Sequence, residues 1–266
     1  LDNNPFINRP KIKHNAVPFD KIRQEHFIPA LEYAIKQAEE KLKEITTNLE
    51  TPTFENTALP METCSELMQR VVLTYFNLME AESDNQFKEL AQDISPKLSA
   101  FNNQVLLDSK LFERVKTLYE NRTSSDLTLE QKRLIEEKYT DFIHNGALLN
   151  ENDKEKVREI DKELSTLSPK FSQNTLNATN DFTYYTEDKS DLSGLSAIAR
   201  EQATETAKKK GKESGWMFTL QMPSYVSVMQ FADNRQLREK LFKARSQISF
   251  GGKYDNQKIV IKFSTL

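Results

Sequence analysis

Glycine is scarce in this sequence, with 6 glycines among 266 residues. That is about 2 %, against an average near 7 %. Phosphate-binding loops, tight turns and many-stranded sheets depend on glycine, so all three are disfavoured. Long apolar runs are also missing: the longest hold three or four residues, as in Ile259 to Ile261, far short of the roughly 18 that a membrane span needs. These absences predict a mainly α-helical protein without a transmembrane helix.

Histidine and cysteine are too few to predict a metal site. His14, His26 and His144 each lack a second histidine three or four residues away, the spacing that places two imidazoles on one helix face. Cys64 is the single cysteine, and its apolar surroundings indicate a small buried side chain rather than a nucleophile. Nucleotide-binding glycine patterns and Gly-x-Ser-x-Gly are absent. We therefore predict no catalytic residue and no metal ligand in this chain.

The charged residues give no sign of a nucleic-acid-binding protein. The net charge is -3 and the pI is about 5.8, so no basic field surrounds the protein. The run Lys208–Lys212 is interpreted as cations that complement a helix C-terminus, and His144 is interpreted in the same way. His26 is interpreted as structural. Two acidic pairs are expected on solvated faces: Glu39 with Glu40, and Glu136 with Glu137.

Apolar residues recur at helical spacing through most of the first 180 residues. The clearest stripe starts at Phe27 and steps by three or four residues to Ile45. A second helix is predicted without interruption over Thr57–Ser83, and a third with a kink at Pro96. The caps predicted for the next three helices are Asp108, the pair Thr128 and Gln131, and Asn150.

The hydrophobic period changes at Asp181. The runs Asp181–Thr186 and Trp216–Met222 are rich in aromatic and β-branched residues and flank a helical stretch over 196–210. They predict a two-stranded element inserted between helices. We therefore divide the chain into three parts: a helical region over 1–180, a small β/α insertion over 181–223 and a second helical region over 224–266.

The helical pattern returns after Pro223. Asp233 and Gln236 are predicted to form a capping box. A last helix is predicted after the N-cap Asp255, and we expect that the chain is cut inside this helix from a longer protein, which leaves apolar surface exposed. The side chains predicted on the buried face of the helix after Asp233 are Leu237, Leu241 and Phe242.

Several strings of residues resemble the N-terminal part of the thimet-oligopeptidase-like zinc metallopeptidases. Two of them are specific: Gly215–Ser246 combines Trp-x-Phe-Thr-Leu…Pro-Ser-Tyr with Asp-Asn-x-x-Leu-Arg-Glu, and Asn174–Leu195 precedes it in the family's order. The remaining strings are the opening Asn4–Phe6 with Phe19–Ile35, and the segment Phe54–Pro60. The opening favours the peptidyl-dipeptidase branch over the oligopeptidase A branch.

This resemblance implies a nearly all-helical, two-lobed peptidase with a channel that admits short unstructured peptides. It also implies one zinc ion, held by a His-Glu-x-x-His helix and a downstream glutamate, with the motif glutamate as base. This chain contains no such motif, so no catalytic or metal residue is carried over and the substrate-binding residues are unknown. The chain is expected to be the non-catalytic section that forms channel wall, with the missing C-terminal catalytic region as its partner.

Two interpretations of function follow. The first is a fragment of a zinc peptidase that releases C-terminal dipeptides, with zinc in the parent and none in this chain. The alternative is a stand-alone helical interaction module without enzymatic activity, which composition alone would favour. The residues after Leu266 distinguish the two. The compartment stays open, with the cytoplasm favoured over the periplasm.

Overall fold

A computed structural model describes residues 3–8, 10–81, 84–123 and 126–266. The chain divides into two compact units, Leu1–Thr166 (unit 1) and Leu167–Leu266 (unit 2). The described residues are mainly helical, as predicted, with one two-stranded sheet. Within these ranges no helix has both the length and the hydropathy needed to cross a bilayer. The three-part division drawn from the sequence stays a prediction.

Among the described residues, eight α-helices begin within unit 1, and the last of them, α8, continues beyond residue 166 into unit 2. They are α1 (Phe27–Thr47), α2 (Leu59–Thr63), α3 (Glu66–Ala81), α4 (Asn85–Glu89), α5 (Ala91–Leu106), α6 (Ser109–Asn121), α7 (Leu129–His144) and α8 (Glu151–Asp181). The elements after α8 are β1 (Thr183–Thr186), α9 (Ala197–Lys209), β2 (Trp216–Thr219), α10 (Met222–Phe231), α11 (Arg235–Ser246) and α12 (Gln257–Thr265).

Helix α1 supplies the centre of the unit 1 core. The side chains that it buries are Phe27, Ala30, Leu31, Ala34, Ala38, Leu42 and Ile45. These positions follow the predicted stripe, and Ile35, the remaining member, is half-buried against the same core. Complete burial of one leucine or phenylalanine stabilises a fold by about 1.5–3 kcal/mol, so this stripe anchors the unit. The α3, α5 and α6 helices pack against it.

The segment predicted as one helix over Thr57–Ser83 is interrupted. Helix α2 ends at Thr63 and α3 begins only at Glu66. The prediction of continuity was therefore wrong at Cys64, and the predicted end at Ser83 lies outside the described residues. The apolar spacing runs through the break without changing phase, so periodicity alone gave no sign of it.

The predicted third helix is also divided, because α4 ends before Leu90 and α5 starts after it. Asp84 caps α4 by accepting the backbone N–H of Phe87 at 2.7 Å. Pro96 lies inside α5, and the kink expected there stays a prediction. The division falls at Leu90, which precedes α5 without a side-chain cap hydrogen bond, so the apolar stripe carries no local signal for it.

The predicted N-caps of the next helices are confirmed. Asp108 accepts two backbone N–H groups of the first turn of α6, both at 2.8 Å. Thr128 and Gln131 form the predicted capping box at the start of α7, with bonds of 3.3 and 2.9 Å. Asn150 accepts the N–H three residues further on, at 3.0 Å, and so opens α8.

In unit 2, the two predicted β runs pair as an antiparallel sheet. Thr183 lies opposite Thr219 and Thr186 opposite Trp216. Helix α9 packs on β2 with a row of small side chains, which lets the helix backbone approach the strand closely. The buried members of this row are Ala199, Ala203 and Ala207. The predicted β element is therefore confirmed, with strands shorter than the predicted runs.

Two details predicted for α11 were wrong. The N-cap is Asn234, whose side-chain oxygen accepts the backbone N–H groups of Gln236 and Leu237 at 2.9 and 3.3 Å. Asp233 instead accepts the hydroxyl hydrogen of Ser193 at 2.6 Å, because its carboxylate is drawn to a loop that the sequence pattern does not reveal. Leu237 and the residue one turn later are buried, but Phe242 is 54 % exposed.

Tyr75 is the largest fully buried side chain of the unit 1 core. Its ring stacks on Phe87 at a centroid distance of 5.0 Å and meets Phe27 edge-on at 5.6 Å. The hydroxyl donates to the carbonyl oxygen of Phe87 at 3.0 Å. Burial raises the pKa of Tyr75 to about 12, because the charged phenolate is poorly solvated in an apolar core.

This pKa shift predicts a loss of stability at high pH. The unfolded chain releases the Tyr75 proton near pH 10 and the folded chain only near pH 12, so the free energy of unfolding falls as the pH rises between these values. At about 1.4 kcal/mol per pKa unit, the loss is roughly 2–3 kcal/mol. Urea unfolding at pH 9 and pH 11.5 measures it. The Tyr75→Phe variant should show a smaller drop, and an equal drop in both proteins would contradict the assignment.

Candidate functional site

The histidines occupy structural or exposed positions. His26 closes the turn before α1: its Nδ1 accepts the backbone N–H of Arg23 at 2.9 Å, and its carbonyl oxygen accepts the Asn4 side chain at 2.8 Å. This supports the structural interpretation of His26. His144 is the exposed last residue of α7, and His14 is exposed with φ 60°.

The zinc ion implied by the family resemblance does not fit the residues of this chain. Throughout residues 3–8, 10–81, 84–123 and 126–266, no three His, Cys, Asp or Glu side chains form a group that could hold a metal ion. Zinc in proteins needs three or four such donors at one point. No chemical step is therefore derived through zinc for these residues.

Cys64 has the properties of a packing residue rather than of a nucleophile. It is half-buried against the unit 1 core, and its thiol donates to the carbonyl oxygen of Met61 at 3.2 Å. Burial raises the pKa of Cys64, although the positive charge of Lys138 acts in the opposite direction. A thiol needs a lowered pKa to react as a thiolate at neutral pH.

The charged runs that the sequence singled out lie mainly on the surface. Lys208 and Lys209 occupy the last turn of α9, as expected for cations at a helix C-terminus. Lys212 lies 4.9 Å from the ring centroid of Tyr185. Glu136 and Glu137 form ion pairs with arginine side chains of unit 1, at 3.1 and 2.9 Å.

The most heavily hydrogen-bonded buried side chain is Arg114, which sequence reasoning missed. It lies in α6 and is 9 % exposed. Its guanidinium donates to the carbonyl oxygens of Asn48 and Glu50 at 2.8 and 3.2 Å, and to the side-chain oxygens of Asn56 and Thr57 at 3.0 Å each. A further bond joins Nε to the Thr57 hydroxyl at 3.2 Å. Arg114 therefore fixes the connection between α1 and α2.

A second buried cation, Lys154, performs the same task at the start of α8. Its side chain is 2 % exposed, and its ammonium donates to the carbonyl oxygen of Leu107, the Ser109 hydroxyl and the Glu151 carboxylate, at 3.1, 2.8 and 3.2 Å. The ammonium thus satisfies all three of its donors. Arg114 and Lys154 are structural anchors. Hydrophobic periodicity registers only apolar side chains, so it gave no sign of either residue.

Unit 2 has two anchors of its own. Asp191 is buried, and its carboxylate accepts hydrogen bonds from the Tyr184 hydroxyl at 3.2 Å and the Asn234 amide at 2.6 Å. Asn256 is also buried and donates to the Phe171 carbonyl oxygen of α8 at 3.0 Å. Asn256 directly precedes α12 but makes no side-chain cap bond. The predicted cap Asp255 supplies it, because its Oδ1 accepts the backbone N–H of Gln257 at 3.2 Å.

A surface groove of about 460 Å³ lies in unit 1, between α1 and the junction of α5 with α6. Its floor is apolar, since Leu42 and Leu111 are buried. Its rim carries both signs of charge on side chains that project from α1. The lining residues are Lys36, Glu39, Glu40, Leu42, Lys43, Thr46, Gln104, Asp108 and Leu111. This groove is the candidate binding site of the chain.

Part of the chain matches a known protein family. Residues 31–154 match the family described as Neurolysin/Thimet oligopeptidase, N-terminal domain. The matched stretch runs from α1 to the start of α8 and includes the groove and both buried cations. The resemblance to the N-terminal portion of thimet-oligopeptidase-like metallopeptidases, inferred from the motifs, is thereby confirmed.

Individual relatives extend the similarity over nearly the whole chain. The dipeptidyl carboxypeptidase of Salmonella typhimurium is 30 % identical and covers 98 % of this chain. Oligopeptidase A of Haemophilus influenzae is also 30 % identical and covers 99 %. The match takes up 38 % of each of these proteins. The chain therefore spans little more than a third of the length of these relatives.

Proposed function

We propose that this chain is the non-catalytic N-terminal section of a zinc metallopeptidase that hydrolyses short unstructured peptides and releases C-terminal dipeptides. In this proposal the zinc ion and the catalytic residues belong to a C-terminal region outside the 266 residues. The present chain contributes wall to the substrate channel. We place the enzyme in the cytoplasm rather than the periplasm; a relative that matches 98 % of this chain is named as a probable cytosolic oligopeptidase A.

One observation carries this proposal: the match to a dipeptidyl carboxypeptidase covers 98 % of the chain and only 38 % of that protein. A stand-alone interaction module has no reason to resemble a peptidase section from end to end. Buried cations that fix loops rather than face a cavity agree with a supporting role.

The full-length gene product should cleave short unstructured peptides and shorten them by two residues at a time from the C-terminus. Mass spectrometry of the products distinguishes this from internal cleavage, which gives fragments of other lengths. A chelator should abolish turnover, because a bound metal ion activates the attacking water.

The 266-residue chain alone is the matched control. It should neither cleave the same peptides nor hold zinc in a one-to-one ratio. Turnover by the chain alone would contradict the division of labour. A full-length protein without a His-Glu-x-x-His segment and without peptidase activity would favour the interaction module instead.

A further inference from the structure

The groove along α1 has charged groups that are not engaged with one another. Among the residues that the structure describes, Lys36, Glu39 and Lys43 take part in no ion pair within 4.0 Å. Lys41 on the same helix, outside the groove, pairs with Glu44 at 2.9 Å. The groove therefore presents ammonium and carboxylate groups that remain available to a ligand.

The spacing of these charges suits a very short zwitterion. An α-helix rises about 1.5 Å per residue, so Lys36 and Glu40 are about 6 Å apart along the axis, and Glu40 and Lys43 about 4.5 Å. An extended dipeptide spans at most about 7 Å between its termini. Its ammonium and its carboxylate can therefore each meet a group of opposite charge along α1.

The other walls add orientation and an apolar contact. The carboxylate of Asp108 is held in place because its Oδ1 accepts the N–H groups of Lys110 and Leu111, both at 2.8 Å. Leu42 and Leu111 form a floor on which one apolar side chain can rest. A volume of about 460 Å³ is within the range of small-molecule sites.

We propose that this groove binds a free dipeptide, with the ligand's carboxylate on the lysine ammonium groups and its ammonium on the carboxylates of the rim. That such a dipeptide is also a reaction product rests on the proposed function. The binding of a dipeptide to the chain does not depend on the proposed function. If the full-length protein also releases dipeptides, the groove is a site that senses its product.

Calorimetric titration of the 266-residue chain with glycyl-leucine tests the proposal. We expect saturable one-to-one binding that weakens as salt is added. N-acetyl-glycyl-leucinamide, which has the same backbone and side chain but no charged termini, should bind at least tenfold more weakly. Equal binding of the two ligands, or no saturable binding, would overturn the proposal.

Matched variants locate the site. Lys43→Gln and Asp108→Asn should each weaken glycyl-leucine binding at least fivefold, and asparagine still caps α6. Lys41→Gln removes a lysine of the same helix outside the groove and should leave binding unchanged. If Lys43→Gln and Lys41→Gln behave alike, the ligand does not occupy the groove.

Failure of this inference is distinguishable from failure of the proposed function. If the full-length protein releases dipeptides but glycyl-leucine does not bind the chain, only the product site is wrong. If glycyl-leucine binds the groove but the full-length protein cleaves no peptide, the site stands and the proposed function falls.

Discussion

Replacement of Gly194 by alanine is expected to destabilise unit 2 severely. Gly194 has φ +82°, and a Cβ atom there would lie 1.9 Å from the carbonyl oxygen of Phe231. The backbone at Gly194 cannot move away easily from Phe231, because the N–H of Asp233 donates to the carbonyl oxygen of Ser193 at 2.9 Å and joins the two segments. The neighbouring Leu195 is buried in the unit 2 core, so a displaced loop also disturbs packing.

The size of the effect follows from two contributions. A left-handed backbone costs a residue with a Cβ about 1–2 kcal/mol, and forced repacking adds about 1–3 kcal/mol. The free energy of unfolding should therefore fall by roughly 2–5 kcal/mol. Urea unfolding followed by the fluorescence of Trp216, the single tryptophan, reports directly on unit 2.

Gly211→Ala is the matched control for this variant. Gly211 has φ +77°, but a Cβ atom there would meet nothing within 4 Å. The control therefore carries the backbone strain without the steric clash, and it should lose only about 1–2 kcal/mol. Equal losses in the two variants would show that the close approach of Gly194 to α10 does not contribute to the free energy of unfolding.

The features predicted correctly from the sequence are those that local chemistry determines. Helix α1 follows its apolar stripe, and the caps at Asp108 and Thr128 act within four residues of themselves. The two β runs are recognisable because aromatic and β-branched side chains favour extended backbone. Such signals depend on neighbours in the chain, so they survive without knowledge of the tertiary structure.

The features that sequence reasoning missed depend on distant partners. Asp233 looked like a cap, but its carboxylate accepts a hydrogen bond from Ser193, 40 residues away. Phe242 fell on the apolar side by periodicity and yet is 54 % exposed, because the neighbouring Leu241 takes the fully buried position. The groove could not be predicted from the sequence either. Asp108 lies near the lysines of α1 only because α6 packs against α1.

Loss of Arg114 should destabilise unit 1 more than loss of any ordinary surface arginine. Replacement by methionine keeps the length and apolar character of the side chain but removes all five donors. The carbonyl oxygens of Asn48 and Glu50 and the oxygens of Asn56 and Thr57 then lose their shared partner. Of these acceptors the Thr57 hydroxyl is buried, and a buried polar group without a partner costs about 1–3 kcal/mol. The other three are partly exposed and can bind water, so a total loss of roughly 2–4 kcal/mol is expected.

The expected behaviour of Arg114→Lys separates charge from geometry. Burial lowers the pKa of Arg114, and an arginine still remains charged at neutral pH. Lysine keeps that charge but supplies three donors from one nitrogen, so it cannot reach acceptors on both sides of the planar guanidinium. We therefore expect Arg114→Lys to recover less than half of the stability that methionine loses, as measured by urea unfolding with far-ultraviolet circular dichroism.

Arg133→Met is the control for both substitutions, because the Arg133 side chain is 68 % exposed and forms only surface ion pairs. Exposed pairs contribute about 0–1 kcal/mol, so this variant should unfold at nearly the wild-type urea concentration. A loss in Arg114→Met no larger than that in Arg133→Met would mean that the segment between α1 and α2 holds its conformation without the guanidinium. In that case the buried position of Arg114 would be a consequence of the fold rather than one of its causes.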